Sequence, residues 1–219
     1  MKVIMFNSVK GGVGKTTLAA QFAVYLSKSA KVGIYDFDPQ GNFTMWFNRR
    51  AELGNEELLK NLSYLPTDCD FEKVENSLDY CIVDSMGADS SISRRLLGFA
   101  DMVVSPFLPS QADIDTVLKH NSIINQVKAF NSTLKLFYLF NGCDTHSKNK
   151  EFNEAMAIFH SLLDEKEISA KLIEYPVFSR KILRSTFSEG LSCFDMGTKA
   201  KQSKQEIENV IKSILKGGK

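Results

Sequence analysis

The sequence lacks the features that mark disulfide-rich, zinc-binding and membrane-spanning proteins. Its 219 residues include only four cysteines, and no two of them form a C-x-x-C pair, so neither a disulfide framework nor a zinc site is indicated. No apolar run approaches the roughly 18 residues of a membrane span, and strand-like sequence begins directly at the N-terminus. No internal repeat or low-complexity linker interrupts the chain. We therefore expect a soluble cytoplasmic protein with one domain over residues 1–219 and a frayed tail at 217–219, in which Cys69, Cys81, Cys143 and Cys193 are small buried hydrophobic residues or inert thiols.

Positive charge is concentrated near the C-terminus, although the whole chain carries a formal net charge of only +1. Residues 1–170 contain 17 Lys and Arg against 21 Asp and Glu, whereas residues 171–219 contain 10 against 5. The basic end is therefore a candidate surface for an anionic partner. Ordinary solubilising charge on a final helix would produce the same counts.

Apolar strand-like runs alternate with helical periods along the chain, and this pattern predicts an α/β fold with a mostly parallel, twisted sheet and helices on both faces. In open sheets of this kind, ligands bind at the carboxyl ends of the strands. We predict strands at Lys2–Ser8, Val32–Asp36, Ser63–Leu65, Tyr80–Asp84, Met102–Pro106, Leu134–Phe140 and Lys171–Tyr175, with helices near 15–29, 43–51, 90–98, 111–129, 150–164, 180–189 and 202–216.

A glycine-rich octapeptide follows the first strand pattern and precedes a helical one. Its glycines let successive backbone N–H groups turn inward at a helix N-terminus, which forms a nest for phosphate groups. Lys15 then reaches the β- and γ-phosphates, and the hydroxyl of Thr16 can bind Mg²⁺. The usual G-x-x-x-x-G-K-[ST] pattern needs glycine at position 9, which is Val9 here, so this is a deviant Walker A motif. We predict that nucleotide phosphates bind at Lys10, Gly11, Gly12, Val13, Gly14, Lys15, Thr16 and Thr17.

The sequence K-G-G-x-G-K-T-T resembles the signature of the ParA/MinD ATPases. The resemblance implies a P-loop ATPase that binds ATP and Mg²⁺ and forms an ATP-sandwich homodimer, in which Lys10 crosses to the phosphates held by the partner subunit. It extends over the whole chain but is specific only at residues 8–17 and 36–42. It is strongest toward short ParA partition proteins that lack an N-terminal helix-turn-helix domain.

Two carboxylates end the second strand pattern, in the sequence D-F-D-P-Q-G-N. Asp36 and Asp38 lie two residues apart and point to one face of a strand, so both can approach a metal–phosphate site. The segment resembles one in the ParA branch, where the carboxylate before the proline positions the attacking water. This role falls on Asp38, which need not be a strong base because alignment and charge stabilisation dominate phosphoryl transfer. A turn before Pro39 is the alternative, structural role for the pair.

The strand pattern Tyr80–Asp84 ends in an acid and indicates a Walker B motif. Asp84 would hold Mg²⁺ through a water, since this ion dehydrates reluctantly. The family usually continues with a small residue and Pro-Pro, whereas this chain has Ser85-Met86-Gly87. Gly87 can still offer its N–H to the γ-phosphate. The resemblance thus implies catalytic roles for Lys10, Lys15 and Asp38, and metal binding by Thr16, Asp38 and Asp84.

Two residues near the last strands are candidates for binding the base. Asn141 follows the sixth strand pattern, and its amide offers the donor and acceptor that adenine requires. Pro176 follows the last strand and could line the same pocket. An Asn-Gly turn and a strand terminator are the alternative roles of these residues.

Basic residues near the C-terminus could bind DNA without sequence preference when two subunits associate. The resemblance to ParA proteins implies association with the nucleoid in the ATP-bound state, and an activating centromere-binding or adaptor protein as a further partner. The candidate DNA-binding residues are Arg180, Lys181, Arg184, Lys199, Lys201 and Lys204.

Three alternatives stay open from the sequence. An amphipathic stripe on the last helix would suit a MinD-like membrane tail, although it lacks Trp and Phe and equally suits a helix packed on the core. The segments Asp84–Gly87 and Ala112–Asp115 resemble those of VirC1-like DNA-transfer ATPases. A metabolic enzyme on this scaffold is the third alternative. An iron–sulfur reductase requires a cysteine just after the Walker B strand, whereas Cys81 precedes Asp84 and Cys143 follows the sixth strand pattern.

Overall fold

Seven parallel strands form a single sheet in the order β3-β2-β4-β1-β5-β6-β7. The computed structural model describes residues 1–69, 71–87, 89–145 and 150–218. Because parallel neighbours need crossover connections, each of these strands is followed by a helix. The strands are β1 Lys2–Phe6, β2 Val32–Phe37, β3 Leu62–Leu65, β4 Tyr80–Ser85, β5 Met102–Phe107, β6 Lys135–Phe140 and β7 Lys171–Ile173.

Helices cover both faces of the sheet and divide the apolar core into two layers. Helices α1, α2, α8 and α9 pack on one face, and α5, α6 and α7 pack on the other. Both faces of the central strands are therefore buried, as a parallel sheet requires. The helices are α1 Lys15–Ser27, α2 Asn42–Glu52, α3 Glu56–Leu59, α4 Phe71–Val74, α5 Ser91–Leu97, α6 Gln111–Lys128, α7 Lys150–Asp164, α8 Lys181–Ser188 and α9 Lys201–Gly217, with 3₁₀ turns at Cys193–Asp195 and Gly197–Ala200.

The predicted α/β architecture is confirmed, and the seven strands and seven longer helices lie where the hydrophobic pattern placed them. The hydrophobic pattern did not predict the two four-residue helices or the two 3₁₀ turns. Two strands end two residues earlier than predicted: the first ends at Phe6 instead of Ser8, and the last ends at Ile173 instead of Tyr175, because Glu174 and Tyr175 are exposed at the edge of the sheet. The division of the chain into a single domain stays a prediction.

The apolar stripe of the last helix lies against the core. Ile207, Val210, Ile211 and Ile214 are all fully buried there, so the stripe is used for packing within the chain and is not available to a membrane. In the described part of the chain, no helix is long and apolar enough to cross a membrane.

The last residues of this helix overlap the tail that was predicted to be frayed at residues 217–219. Gly217 is helical, and the N–H of Gly218 donates to the carbonyl of Ile214 at 2.8 Å. Lys219 lies outside the described residues.

The sheet order sets the geometry of the site. Strand β1 lies between β4 and β5, and β2 lies on the other side of β4. Because all these strands run in one direction, the loops after β1, β2, β4 and β5 meet at the same edge. We call this edge the carboxyl edge of the sheet.

Candidate nucleotide site

The loop between β1 and α1 has the backbone of a phosphate nest. Gly12 has φ +77° and Gly14 has φ +90°, values that glycine adopts without strain. A Cβ at Gly14 would lie 2.3 Å from the side-chain nitrogen of Asn141, so position 14 also requires glycine because of its close neighbour. Gly14 is the N-cap of α1, and no side chain caps that helix end. The free N–H groups and the helix dipole together favour an anion here.

Lys15 is buried behind this loop. Its Nζ donates to the hydroxyl of Ser8 and to the carbonyl of Lys10, both at 3.1 Å. Burial lowers the pKa of Lys15, while the charges of Asp84 and Asp38 act in the opposite direction. These contacts place the ammonium group among the carboxylates of the site, with donors that can be transferred to phosphate oxygens.

Thr16 and Asp84 form an oxygen-rich pair suited to Mg²⁺. The Thr16 hydroxyl donates to Asp84 Oδ2 at 2.6 Å, and Asp84 Oδ1 is buried without a hydrogen-bond partner in the described part of the chain. Burial raises the pKa of Asp84 to about 7, and the neighbouring carboxylates of Asp36 and Asp38 add to this effect. A cation would compensate both the unpaired oxygen and the buried charge, so these residues fit Mg²⁺.

The two carboxylates at the end of β2 differ in their bonding partners: Asp36 lies within the strand and Asp38 directly follows it. Their approach to a metal stays a prediction. Asp36 is buried; its Oδ2 accepts from the N–H and the hydroxyl of Thr44 at 2.8 and 2.9 Å, and its Oδ1 accepts from the N–H of Asp38 at 3.1 Å. It therefore ties the first turn of α2 to the strand. Asp38 is half-buried, and among the described residues its carboxylate accepts a single, local bond, from the N–H of Gln40, so one carboxylate oxygen can face the nucleotide site.

Lys10 makes an intrachain ion pair that the sequence analysis missed. Its Nζ lies 2.5 Å from Oδ2 of Asp113, a buried residue in the first turn of α6. Asp113 also accepts from the Ser110 hydroxyl at 2.6 Å and from the N–H of Leu108 at 3.3 Å. The spacing S-x-x-D marks a helix start, but nothing local to that segment indicates a partner 103 residues away.

The segment after β4 lies directly against the phosphate loop. A Cβ on Gly87 would come within 2.9 Å of the carbonyl group of Lys10 and 3.0 Å of the Gly11 nitrogen. Only glycine permits this approach. The segment Ser85-Met86-Gly87 thus keeps a backbone contact with the loop although it lacks the usual prolines.

Asn141 and Pro176 lie on adjacent segments. The N–H of Val177 donates to the carbonyl of Phe140, and the N–H of Cys143 donates to the carbonyl of Val177, so the stretches after β6 and β7 run side by side. Asn141 donates from its side-chain nitrogen to the carbonyl of Val13 at 2.7 Å. It therefore supports the phosphate loop. Base binding by Asn141 and by half-buried Pro176 stays a prediction.

A buried polar network connects the loop after β1 and the last residue of β4 to helix α6. Asn7 donates to the hydroxyl of Ser85 at 2.8 Å, and its carbonyl oxygen lies 2.9 Å from Nε2 of His120, whose Nδ1 lies 3.0 Å from the hydroxyl of Tyr138. Burial lowers the pKa of His120 to about 3, so the ring is neutral. Sequence patterns gave no signal for this network because its members come from four separate elements.

The predicted basic residues do not share one environment. Arg180 is held by Glu206 through several hydrogen bonds and by Gln202 at 3.0 Å. Lys181, Lys199 and Lys201 are exposed and line, with Arg180, a cleft of about 470 Å³. The structure does not place Arg184 or Lys204 in the lining of this cleft.

A glycine-rich loop at the carboxyl edge of a parallel sheet, followed by a helix and backed by a Thr–Asp pair, defines a P-loop nucleotide-binding protein. Residues 4–189 match the family described as the CobQ/CobB/MinD/ParA nucleotide binding domain. Since the match spans more than half of the chain, the protein belongs to this family, and the resemblance read from the sequence is confirmed.

Curated and solved relatives extend over nearly the whole chain. The maintenance of carboxysome distribution protein A of Halothiobacillus neapolitanus is 25% identical over 95% of this chain and 94% of its own. Apo McdA of Cyanothece has a TM-score of 0.81 at 19% identity, covering 98% of this chain and 99% of that one. A plasmid partition protein of Borrelia burgdorferi bound to AMPPNP has a TM-score of 0.76 at 21% identity, covering 99% of both.

Proposed function

We propose that the protein is a Mg²⁺-dependent ATPase that positions a cargo by switching between a free subunit and an ATP-bridged homodimer that binds DNA. The observation that carries the proposal is the meeting of Lys10, Lys15, Asp38 and the Thr16–Asp84 pair at one edge of the sheet. The chain resembles proteins named for carboxysome distribution and plasmid partition. This supports a positioning role with cytoplasmic location, and association with the nucleoid while ATP is bound.

The site residues would act by alignment and charge neutralisation. Lys15 would exchange its bonds to Ser8 and the Lys10 carbonyl for phosphate oxygens, while Asp38 would hold the attacking water in line. Mg²⁺, held by Thr16 and Asp84, would neutralise charge on the phosphates when bound. Because Asp38 is half-buried and would hold the water by alignment, we expect slow hydrolysis that a partner protein can accelerate.

The ATP-bridged dimer depends on Lys10. Its side chain is 38% exposed and long enough to extend beyond the protein surface once its ion pair with Asp113 is broken. A lysine that contacts phosphates across an interface would make dimerisation sensitive to the number of phosphates bound. Binding of ATP, but not of ADP, would therefore favour association.

The basic cleft is the proposed surface for DNA. Helices α8 and α9 both begin there without a side-chain cap, and the hydroxyl of Ser203 is buried without a hydrogen-bond partner among the described residues. Exposed Lys181, Lys199 and Lys201 supply charge that would track phosphates without reading bases. Arg180 is excluded from a direct contact because Glu206 holds its guanidinium group, and Arg184 and Lys204 would make peripheral contacts.

The proposal is tested by measuring binding of a random-sequence DNA duplex with ATP, ADP or no nucleotide, at two salt concentrations. We expect binding only with ATP, weakening steeply with salt. The double variant Lys199→Ala/Lys201→Ala should lose at least about tenfold in affinity and show a smaller salt slope. Lys212→Ala is the matched control, because Lys212 is exposed on the same helix but pairs with Glu208. If the wild-type chain hydrolyses ATP but never binds DNA, the DNA part of the proposal is wrong. If the wild-type chain does not bind ATP, the whole proposal is wrong.

A further inference from the structure

Two exposed phenylalanine rings line a groove that the proposed ATPase cycle does not use. Phe99 is 65% exposed and Phe130 is 90% exposed. Both line a groove of about 370 Å³ at the C-terminal ends of α5 and α6, together with buried Val127. We call this feature, bounded by Arg94, Arg95, Phe99, Gln126, Val127 and Phe130, the aromatic groove. Exposed aromatic rings grouped in this way mark interaction surfaces, because the removal of large apolar side chains from water stabilises a complex with a partner.

The groove is preformed by bonds between its two walls. The guanidinium of Arg94 donates to Gln126 at 2.8 Å. The side-chain nitrogen of Asn131 donates to the carbonyls of Ala100 and Leu97 at 2.7 and 3.3 Å. These bonds connect the ends of α5 and α6, so ligand binding loses little conformational entropy in ordering the two walls.

Charge restricts the chemistry of the occupant. Arg94 and Arg95 line the groove, and no described Asp or Glu does. Arg94 is already paired with Asp89, whereas Arg95 is exposed and forms no ion pair with a described residue. An apolar floor with an unpaired guanidinium at its rim fits a segment that carries both apolar and carboxylate side chains. An amphipathic acidic helix laid into a groove between helices meets both requirements.

The topology places the groove away from the nucleotide. Helix α5 ends just before β5 begins at Met102, and α6 ends just before β6 begins at Lys135. The groove therefore lies at the edge where the strands start, and the phosphate loop lies at the edge where they end. A partner bound in the groove leaves Lys10, the phosphate loop and the basic cleft uncovered.

We propose that the aromatic groove binds an acidic amphipathic helix of a partner protein, and that it binds this helix equally well whichever nucleotide is present. Such a contact is a constant attachment to a cargo or adaptor, separate from any contact that stimulates hydrolysis. The inference goes beyond the proposed ATPase cycle and does not depend on it.

The first test uses random peptides displayed on phage. Peptides are selected on the full-length wild-type chain and counter-selected on Phe99→Ser/Phe130→Ser. We expect the enriched peptides to combine apolar residues at helical spacing with Asp and Glu. Enrichment of basic peptides, or no enrichment over the variant, would overturn the proposal.

The second test measures affinity for a labelled synthetic peptide of the enriched sequence by fluorescence anisotropy. Phe130→Ser and Arg95→Glu should each weaken binding by about tenfold. Leu53→Ser is the control, since Leu53 is 48% exposed but follows α2 on the opposite face of the sheet. The affinity should be the same with ATP, ADP and no nucleotide, and a dependence on nucleotide would contradict constant attachment.

Self-association is measured by analytical ultracentrifugation of the same variants. If Phe130→Ser abolishes a nucleotide-independent dimer of the wild-type chain, the occupant is a second copy, and the proposal of a partner helix is wrong. Phe130→Ser should keep the melting temperature, ATPase rate and DNA affinity of the wild type. Failure of this proposal is thereby distinguished from failure of the proposed function.

Discussion

Lys10 Nζ lies 2.5 Å from Asp113 Oδ2 within a single chain. Asp113 is 1% exposed and is held in place by Ser110, whereas Lys10 is 38% exposed. The lysine is therefore the mobile member of the pair. If Lys10 contacts phosphates across a dimer interface, this ion pair must open first, and it opposes association of nucleotide-bound subunits.

Asp113→Asn should strengthen ATP-dependent dimerisation, because it removes the charge that retains Lys10 but keeps an acceptor for Ser110 and Leu108. A partly exposed ion pair contributes up to about 1 kcal/mol, and two such pairs open in each homodimer, so the dimer should tighten by up to about 30-fold. Analytical ultracentrifugation with a non-hydrolysable ATP analogue measures this change. Asp115→Asn, on the same helix but bonded to Gln111, should have no effect. A weaker dimer in the Asp113→Asn variant would show that Asp113 assists association.

Asp84→Asn should stabilise the chain without nucleotide and Mg²⁺. Burial raises the pKa of Asp84 from 3.8 to about 7, so the folded state binds more protons than the unfolded state between these values, and stability falls as pH rises through them. Removing the carboxylate should add on the order of 4 kcal/mol at pH 8 and little near pH 4. Melting temperatures from pH 4 to 8 measure this difference.

The same variant has the opposite effect once Mg²⁺ is present. The gain in melting temperature that Mg²⁺ and ATP give the wild-type chain should be lost, since a metal ligand must be deprotonated. If Asp84→Asn keeps that gain, Asp84 does not bind the metal.

Asp38→Ala and Asp36→Ala should separate catalysis from structure. Asp38→Ala should retain ATP binding and stability but lose most turnover, and the ATP-bound dimer should accumulate. Asp36→Ala should lower the free energy of unfolding by about 1–2 kcal/mol, because it leaves the N–H groups of Thr44 and Asp38 without their acceptor. Steady-state hydrolysis and chemical denaturation measure the two effects. Normal turnover in Asp38→Ala would remove this residue from the proposed mechanism.

His120 should make the chain sensitive to mild acid. Its pKa is about 3 in the folded state and 6.5 when the ring is free, so between these values the unfolded state binds a proton that the folded state does not. The contribution of the buried neutral ring to stability is therefore complete above pH 6.5 and is lost as pH falls toward 3. At pH 5 the loss should reach about 2 kcal/mol. Urea denaturation at pH 5 and pH 7 measures it, and His120→Gln should reduce the difference. His160→Gln, at an exposed position, should leave the difference unchanged.

Sequence patterns predicted the elements and the phosphate loop because both depend on neighbouring residues. Hydrophobic periodicity located every strand and each longer helix, and the glycine spacing located the nest at the start of α1. Four-residue helices are too short for periodicity to detect. The helix Glu56–Leu59 still had a local signal, since the side chain of Asn55 accepts a bond from the N–H of Glu57.

The parts that sequence reasoning missed are contacts between distant segments. Asp36 could not be separated from Asp38, because its acceptor role depends on where α2 turns back against β2. Arg180 was predicted as a DNA-binding residue, and only the packing of α9 shows that Glu206 holds its guanidinium group. Charge counts along a sequence cannot distinguish paired from unpaired residues.

The aromatic groove and the phosphate loop lie at opposite edges of the sheet, and this separation has a consequence for avidity. Two subunits joined by ATP at one edge would present two grooves on their outer ends. A cargo carrying several copies of the acidic helix would then be held by two attachments instead of one, which can raise its apparent affinity by about 10²–10⁴ without any new contact. Hydrolysis would return each subunit to a single weak attachment, so the nucleotide would control residence time on the cargo while never touching the groove.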